Sequence, residues 1–164
     1  MLIDAWARVR PENWKLRIVG PDEAGHRAEL ERAVREAKLG HVVSFRSAVQ
    51  GEDKMLEMRR ADLFVLPTHS ESFGMAVAEA MSYGLPVLTT TAAPWPALET
   101  ENGGWRVSVN PESIANGLRE ATSLDPNILH DMGRRGREII ARDYQWSEVA
   151  PQFVELYESA ARRD

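Results

Sequence analysis

The sequence predicts an α/β fold in which helices cover both faces of a mostly parallel sheet, a Rossmann-like three-layer sandwich with a helical C-terminal third. Two observations support this prediction. Short apolar runs alternate with longer runs whose apolar residues recur at helical spacing, a pattern typical of parallel sheets with helical crossovers. From residue 111 onward the chain shows amphipathic helix patterns with little strand signal between them.

Five short runs are predicted as strands because each is rich in β-branched or aliphatic residues and none exceeds six residues. The first run ends at Gly20 and the third at Pro67, residue types that commonly end such elements. The predicted strands are 16–20, 42–45, 63–67, 86–90 and 104–107.

Helices are predicted before, between and after these strands. In the run 23–39 apolar residues recur at helical spacing, and Gly40 stands where a C-terminal glycine cap is expected. The nearly all-apolar run 75–83 is followed by Gly84. The predicted helices are 1–9, 23–39, 50–60, 75–83, 111–124, 127–142 and 147–163.

The order of these elements bears on domain organisation and on where a ligand would bind. We assign residues 1–164 to a single domain, because that length fits one unit. A doubly wound fold normally begins with a strand, so the helix pattern at 1–9 leads us to expect that the chain begins partway through a larger protein. Right-handed crossovers place the carboxyl ends of the strands, and hence Gly20, Arg46 and 68–74, along one ligand-binding edge.

Composition and charge exclude several function classes. The formal net charge of −5 argues against general nucleic-acid binding, which requires clustered Lys and Arg. Without cysteine there is no disulfide or thiolate site, and the four histidines lack metal-ligand spacing, so no metal is expected. The longest apolar run, 63–67, is far shorter than the ~20 residues of a membrane span, and a cytoplasmic location is compatible. The basic run 134–137 fits either a solvated helix face or contact with an anionic membrane surface.

The stretch 67–86 carries most of the chemical information. It is predicted as a strand end, a polar loop containing Ser70, Glu71 and Ser72, and a helix that begins at about Gly74. The start of a helix presents unpaired backbone N–H groups and the positive end of a dipole, which together suit a phosphate. A glycine at this position allows a ligand to approach the backbone closely.

Glu79 is unusual because the helix around it is apolar on nearly every face, so its side chain is expected to be buried. A buried carboxylate is costly unless it is paired, hydrogen-bonded or facing a ligand. Two interpretations remain open from the residues alone. The carboxylate accepts hydrogen bonds from a vicinal diol such as a ribose, or it has a structural partner such as an arginine or backbone amides.

Glu71 and Glu79, separated by seven residues within Glu-Ser-Phe-Gly-Met-Ala-Val-Ala-Glu-Ala-Met, resemble the Glu-x7-Glu signature of group 1 retaining glycosyltransferases of the GT-B class. The context agrees, since Val-Leu-Pro-Thr precedes the motif and Ala-Met-Ser-Tyr-Gly-Leu-Pro-Val follows it. The resemblance extends from about Met1 to Trp146.

The resemblance implies a role for each matching residue. Glu71 corresponds to the catalytic-site glutamate near the transferred carbon of the donor sugar, and Glu79 to the one that holds the nucleotide ribose. Phe45 and Arg46 correspond to the lining of the base pocket, although Phe45 as a core residue and Arg46 as a solvated one remain alternatives. Gly20 corresponds to a turn glycine near the nucleotide. Ser72, Phe73, Gly74 and Met75 correspond to the loop and helix start that meet the sugar hydroxyls and diphosphate.

The sequence departs from the family pattern in two places. The Arg and Lys of a Gly-Arg-x4-Lys-Gly stretch, and the acceptor-binding N-terminal domain, are not in this chain, so we expect the chain alone to be inactive or nearly so. A Gly-Gly-x-x-Glu turn is replaced by 92–99, as in enzymes of bacterial surface-polysaccharide and lipopolysaccharide synthesis. Here Glu99 is either the turn glutamate or an exposed charge, and Trp95 either stacks on a sugar or anchors the packing.

The resemblance therefore implies the donor-binding domain of a glycosyltransferase that uses a nucleoside-diphosphate sugar and no metal or other cofactor. Its acceptor, a glycan or lipid-linked glycan, would bind through a further domain, at the inner face of the plasma membrane. A sugar-nucleotide epimerase of the same architecture and a non-catalytic nucleotide-binding module are the alternatives.

Overall fold

The computed structural model describes residues 1–162 of the chain. Within this range five strands alternate with helices, and three further helices follow the last strand. The strands are β1 (Leu16–Val19), β2 (Val43–Arg46), β3 (Phe64–Leu66), β4 (Val87–Thr90) and β5 (Gly104–Val107). The helices are α1 (Leu2–Val9), α2 (His26–Glu36), α3 (Gly51–Arg60), α4 (Met75–Ser82), α5 (Ala97–Thr100), α6 (Pro111–Ser123), α7 (Pro126–Asp143) and α8 (Trp146–Ala161).

The strands form two parallel ladders. β1 pairs with β2, with Leu16 opposite Val43, and β4 lies between β3 and β5. In a doubly wound sheet of order 3-2-1-4-5-6, these ladders take positions 3-2 and 4-5-6. No strand among residues 1–162 occupies the central position 1, which explains why β1 and β3 are not paired with each other.

Two apolar clusters cover the sheet. One contains side chains of α1, α2 and α6 together with residues of both ladders, including Leu16 and Leu88. The other contains Val77, Met81 and Ile139, which join α4 and α7 to the sheet. Every residue of β4 is buried, as expected for a strand with a neighbour on each side and a cluster on each face. The predicted α/β fold with a mostly parallel sheet and a helical C-terminal third is therefore confirmed.

The structure corrects three details of the sequence prediction. α2 begins at His26 rather than at residue 23. Gly40 does not cap α2, because Lys38 takes the left-handed conformation at φ 58° and Leu39 N–H donates to Val34 O at 2.9 Å. This hydrogen bond closes the helix in a Schellman motif one residue after Lys38. The four-residue helix α5 was not predicted. The predicted end of the last helix at residue 163 lies outside the described residues.

α4, the helix that follows the Glu71 loop, is held between two glycines and α7. Gly74 and Gly84 flank the helix in left-handed conformations, with φ 84° and 76°. Gly133 and Gly136 of α7 are buried against this region, so the two helices approach with little side-chain volume between them. This close packing fixes the position of α4 relative to the sheet.

α8 differs from the other long helices because it packs against little of the chain. Its large apolar side chains are exposed, with Trp146 at 76% and Tyr157 at 69% of their full accessible area. No helix among the described residues is long and apolar enough to cross a membrane.

Candidate functional site

The loops at the carboxyl ends of the strands bring the predicted site residues to one edge in two groups. Gly20, Phe45 and Arg46 line a half-open cavity of about 250 Å³ after β1 and β2. Glu71, Ser72, Phe73 and the start of α4 form the second group after β3. α3 links the two groups. Its Glu57 pairs with Arg46 of the first group, and its Lys54 pairs with Glu79 of α4, the helix that begins in the second group.

The loop after β3 is anchored to the buried strand β4 through threonine side chains. Thr89 Oγ1 donates to Leu66 O at 2.8 Å, and Thr90 Oγ1 donates to Thr68 O at 2.6 Å. Thr68 Oγ1 in turn donates to Ser70 O at 2.7 Å. Both β4 threonines are fully buried, so these hydrogen bonds are shielded from water and hold the loop that precedes Glu71.

Gly74 is the N-cap residue of α4, and no side chain caps this helix start. Val77 and Ala78 donate backbone hydrogen bonds to Gly74 O, whereas the N–H groups of Gly74, Met75 and residue 76 have no acceptor among residues 1–162. Met75 is 64% exposed whereas Gly74 is buried, so this helix end is open to solvent at Met75. Uncapped N–H groups at an open helix start bind an anion through their hydrogens and through the helix dipole.

Glu71 lies beside this helix start. Its side chain is half-buried, its Cγ is close to Gly74, and no hydrogen bond or ion pair within the described range engages its carboxylate. A free carboxylate next to unpaired amides suits a sugar phosphate. The carboxylate accepts hydrogen bonds from the sugar hydroxyl groups, and the amides donate hydrogen bonds to the phosphate oxygens.

Glu79 is not buried as predicted. Its side chain is 35% exposed and pairs with the Lys54 ammonium of α3 at 2.5 Å. Val77, Ala80 and Met81 take the buried positions of α4, which leaves Glu79 on the face towards α3. The structural partner that the residues left open is therefore a lysine, and the Glu79 side chain remains partly exposed beside it.

Arg46, the last residue of β2, forms an ionic cluster with acidic side chains of α3. It pairs with Glu57 and with Asp53, and Glu57 also accepts two hydrogen bonds from Arg17 at 3.0 and 2.8 Å. Although burial alone would raise the pKa of Glu57, the hydrogen bonds from the two arginines outweigh it and lower that pKa. Arg46 thus lies at the cavity mouth, and its positive charge is already compensated by the carboxylates of Asp53 and Glu57.

Phe45 is half-buried and packs against the apolar cluster that contains β1 and β2. The Arg27 guanidinium lies 5.6 Å from the centroid of its ring, within cation–π range. The expected core role and the expected cavity role of Phe45 therefore coexist.

The two residues of the 92–99 turn that were left open have clear positions. Glu99 pairs with Arg106 at 3.1 Å, so it is an ion-paired surface charge. Trp95 is 1% exposed and donates its indole N–H to Phe73 O at 2.6 Å, so it anchors packing and does not stack on a sugar. Among residues 1–162, no group of three or more His, Cys, Asp or Glu side chains is arranged to hold a metal ion.

Sequence reasoning missed Lys54, Arg27 and the indole hydrogen bond of Trp95. Lys54 lies 25 residues before Glu79, and only the packing of α3 beside α4 brings the two together. The one signal available in the sequence was that the helix predicted at 50–60 carries charges of both signs and precedes the strand that leads into the Glu71 loop.

Comparison with known proteins shows which family the chain belongs to. The family described as glycosyl transferases group 1 matches residues 1–139, most of the chain. The chain belongs to this family. The resemblance carried by Glu71 and Glu79 is thereby confirmed at the level of the family, while the roles of the individual site residues stay predictions.

Relatives and solved structures agree with this assignment. The GDP-mannose:cellobiosyl-diphosphopolyprenol alpha-mannosyltransferase of Xanthomonas campestris is 30% identical over 94% of this chain and 41% of its own length. HepE from Anabaena, solved in complex with UDP and glucose, shares the fold with a TM-score of 0.81 at 23% identity, over 96% of this chain and 44% of its own. The C-terminal domain of the group 1 protein LpcC from Francisella tularensis matches at a TM-score of 0.74 and 25% identity, over 88% of this chain and 77% of that domain.

The chain spans about two fifths of the length of the curated relatives it matches. The match to a solved C-terminal domain accounts for this share, because that domain alone covers most of the fold described here.

Proposed function

We propose that this chain is the donor-binding domain of a glycosyltransferase that moves a sugar from a nucleoside diphosphate to a glycan or lipid-linked glycan, with retained anomeric configuration. One observation supports this most strongly: the uncapped start of α4, where Gly74 is buried and Met75 is exposed, stands beside the unengaged carboxylate of Glu71, inside the family motif. The proposal uses no metal and no other cofactor.

The chemistry follows from this arrangement. When the bond between the anomeric carbon and the diphosphate breaks, negative charge grows on the leaving phosphate oxygens. The free N–H groups at residues 74–76 and the dipole of α4 stabilise that charge at fixed positions. Glu71 is placed to accept hydrogen bonds from the sugar and to stabilise positive charge near the reacting carbon.

The nucleoside would extend from the helix start towards the cavity after β1 and β2. Glu79 would accept hydrogen bonds from the two ribose hydroxyls, sharing its carboxylate with Lys54. Phe45, Arg46 and Gly20 would line the space for the base, which at about 250 Å³ accommodates a flat ring system.

The acceptor, the cations that complete the diphosphate site and any contact with a membrane surface would come from parts of the protein beyond this domain. In the Xanthomonas campestris relative, more than half of the length lies outside the part that this chain matches. We place the reaction at the cytoplasmic face of the membrane, where nucleotide sugars meet lipid-linked acceptors.

Calorimetric titration of the chain with UDP, GDP and ADP tests the proposal. One nucleotide should bind, and Glu79→Ala should weaken it about 30-fold, because hydrogen bonds to a charged group contribute roughly 2 kcal/mol. Glu36→Ala is the matched control, since Glu36 is an exposed carboxylate at the far end of α2 and should leave the affinity unchanged. Failure of all three nucleotides to bind at millimolar concentration contradicts the proposal.

A further inference from the structure

Trp95 connects the loop after β4 with the turn that precedes α4. Its indole N–H donates to Phe73 O at 2.6 Å, across 22 residues of sequence. The backbone of Trp95 is held by its own segment, because Trp95 N–H donates to Ala93 O at 2.9 Å and Leu98 N–H donates to Trp95 O at 3.2 Å. The indole is 1% exposed, so the packing around it restricts the donor as well.

Three aromatic rings close around this hydrogen bond. Phe73 meets Trp95 edge-on at 5.1 Å between centroids, and Tyr144 lies 4.9 Å from Trp95 and 5.7 Å from Phe73. Tyr144 follows α7, and the neighbouring Arg142 binds Glu101 with two hydrogen bonds at 2.9 and 2.8 Å. The turn at Phe73 is thus in contact with residues from two other segments of the fold, although the Phe73 and Tyr144 rings remain partly exposed.

The same indole leaves no room for a side chain at the next residue. A Cβ on Gly74 would lie 3.0 Å from Trp95 Nε1 and 3.3 Å from Glu71 Cγ, and Gly74 already has the left-handed φ of 84°. Trp95 and Glu71 therefore both lie directly against Gly74.

The hydrogen bond to Phe73 O also determines where the next amide points. In a trans peptide the carbonyl and the following N–H point in opposite directions. Because Phe73 O points towards the indole, Gly74 N–H points the opposite way, and it has no acceptor among the described residues, although Gly74 as a residue is buried.

We propose that Trp95 is a positioning residue for donor binding: its indole N–H locks the 73–74 peptide so that Gly74 N–H faces the diphosphate. This inference rests on the proposed function, since it names the device that orients the phosphate-binding amide. A tryptophan that served packing alone would stabilise the fold without affecting ligand affinity at temperatures where the chain is folded.

Trp95→Phe separates these roles because it keeps an aromatic ring and removes the N–H donor. Trp105→Phe is the matched control, since Trp105 is a buried tryptophan of β5 in the other apolar cluster. Each variant is titrated by calorimetry with the nucleoside diphosphate that binds the wild type, at a temperature where circular dichroism shows it folded. Trp95→Phe should bind roughly fivefold more weakly or worse, and Trp105→Phe should match the wild type.

Equal affinity of Trp95→Phe and wild type overturns this inference and leaves the proposed function standing. An equal loss in both variants overturns it too, because the effect then belongs to general destabilisation. A wild type that binds no nucleoside diphosphate overturns the proposed function and this inference together.

A measurement on the wild type applies even if Trp95→Phe does not fold. In amide hydrogen exchange, the Trp95 indole N–H should exchange slowly, and Gly74 N–H should exchange more slowly with nucleotide bound than in the free chain. A Gly74 amide whose exchange is unaffected by nucleotide refutes the positioning role.

Discussion

Replacing Gly133 with alanine should destabilise the fold, although alanine is the better helix former. Gly133 lies in α7 where that helix crosses the end of α4. A Cβ at Gly133 would lie 1.8 Å from Gly84 O and 2.7 Å from Gly84 C. Both are backbone atoms of a left-handed turn at φ 76°, and Pro86 Cδ stands 3.2 Å away on the same side. No side-chain rotation can relieve the overlap, so α7 must move away from α4.

The magnitude follows from two opposing effects. Overpacking of a well-packed core typically costs about 1–3 kcal/mol and occasionally more, and a backbone overlap of this depth belongs at the upper end. The gain in helix propensity from glycine to alanine is about 1 kcal/mol. We therefore expect Gly133→Ala to lower the free energy of unfolding by roughly 2 kcal/mol or more.

Gly136→Ala provides the control in the same helix. Its Cβ would meet Met81 Cγ at 3.5 Å and Leu85 O at 3.8 Å, which are ordinary contacts, so only the propensity gain should remain. Urea unfolding followed by circular dichroism should show Gly133→Ala below the wild type and Gly136→Ala at or above it. A Gly133→Ala chain as stable as the wild type would mean that α4 and α7 do not pack as described.

Three further predictions concern separate parts of the molecule. Gly74→Ala should lower both the melting temperature and nucleotide affinity, whereas Gly25→Ala, with a similar φ of 77° but open space, should lower only the melting temperature; equal affinities would argue against a ligand at the helix start. Glu57→Gln should flatten the acid side of the stability curve, because the lowered pKa of Glu57 stabilises the fold above about pH 4 and that stabilisation is lost as pH falls further; urea midpoints between pH 2 and pH 7 that fall in parallel in variant and wild type would contradict this. Removal of residues 146–162 should change the melting temperature little, since the apolar side chains of α8 are exposed; a collapse of the fold would show that α8 carries core packing.

The order of strands and helices was predictable because each element has its own spacing of apolar residues and is bounded by glycine, proline or polar residues. β4 and α4 are examples, since an apolar run of strand length ends in polar residues and Gly74 and Gly84 bound an apolar helix. The Schellman ending of α2 at Lys38 was not predictable in this way, because a lysine took the left-handed conformation two residues before the glycine that was expected to cap the helix. Tertiary contacts of Leu39, which is 1% exposed, outweighed the local preference for glycine.

The candidate site was predictable as a motif and not as a set of contacts. The burial of Glu79 was predicted wrongly because an eight-residue helix that is apolar all round gives no period from which to orient its faces. Its lysine partner and the indole donor to Phe73 O come from elements that meet only after folding. Such contacts depend on helix packing, about which local sequence carries little information.

Amide chemical-shift mapping of the isotope-labelled chain, titrated with its preferred nucleoside diphosphate, tests the central claim most directly. The largest shifts should fall at residues 73–79 and around Gly20 and Phe45, the edge that carries the uncapped start of α4. The chain has a second, larger concavity of about 630 Å³ lined by Trp6, Trp14 and His41. Shifts confined to that concavity, with the amides of α4 unmoved, would contradict the account.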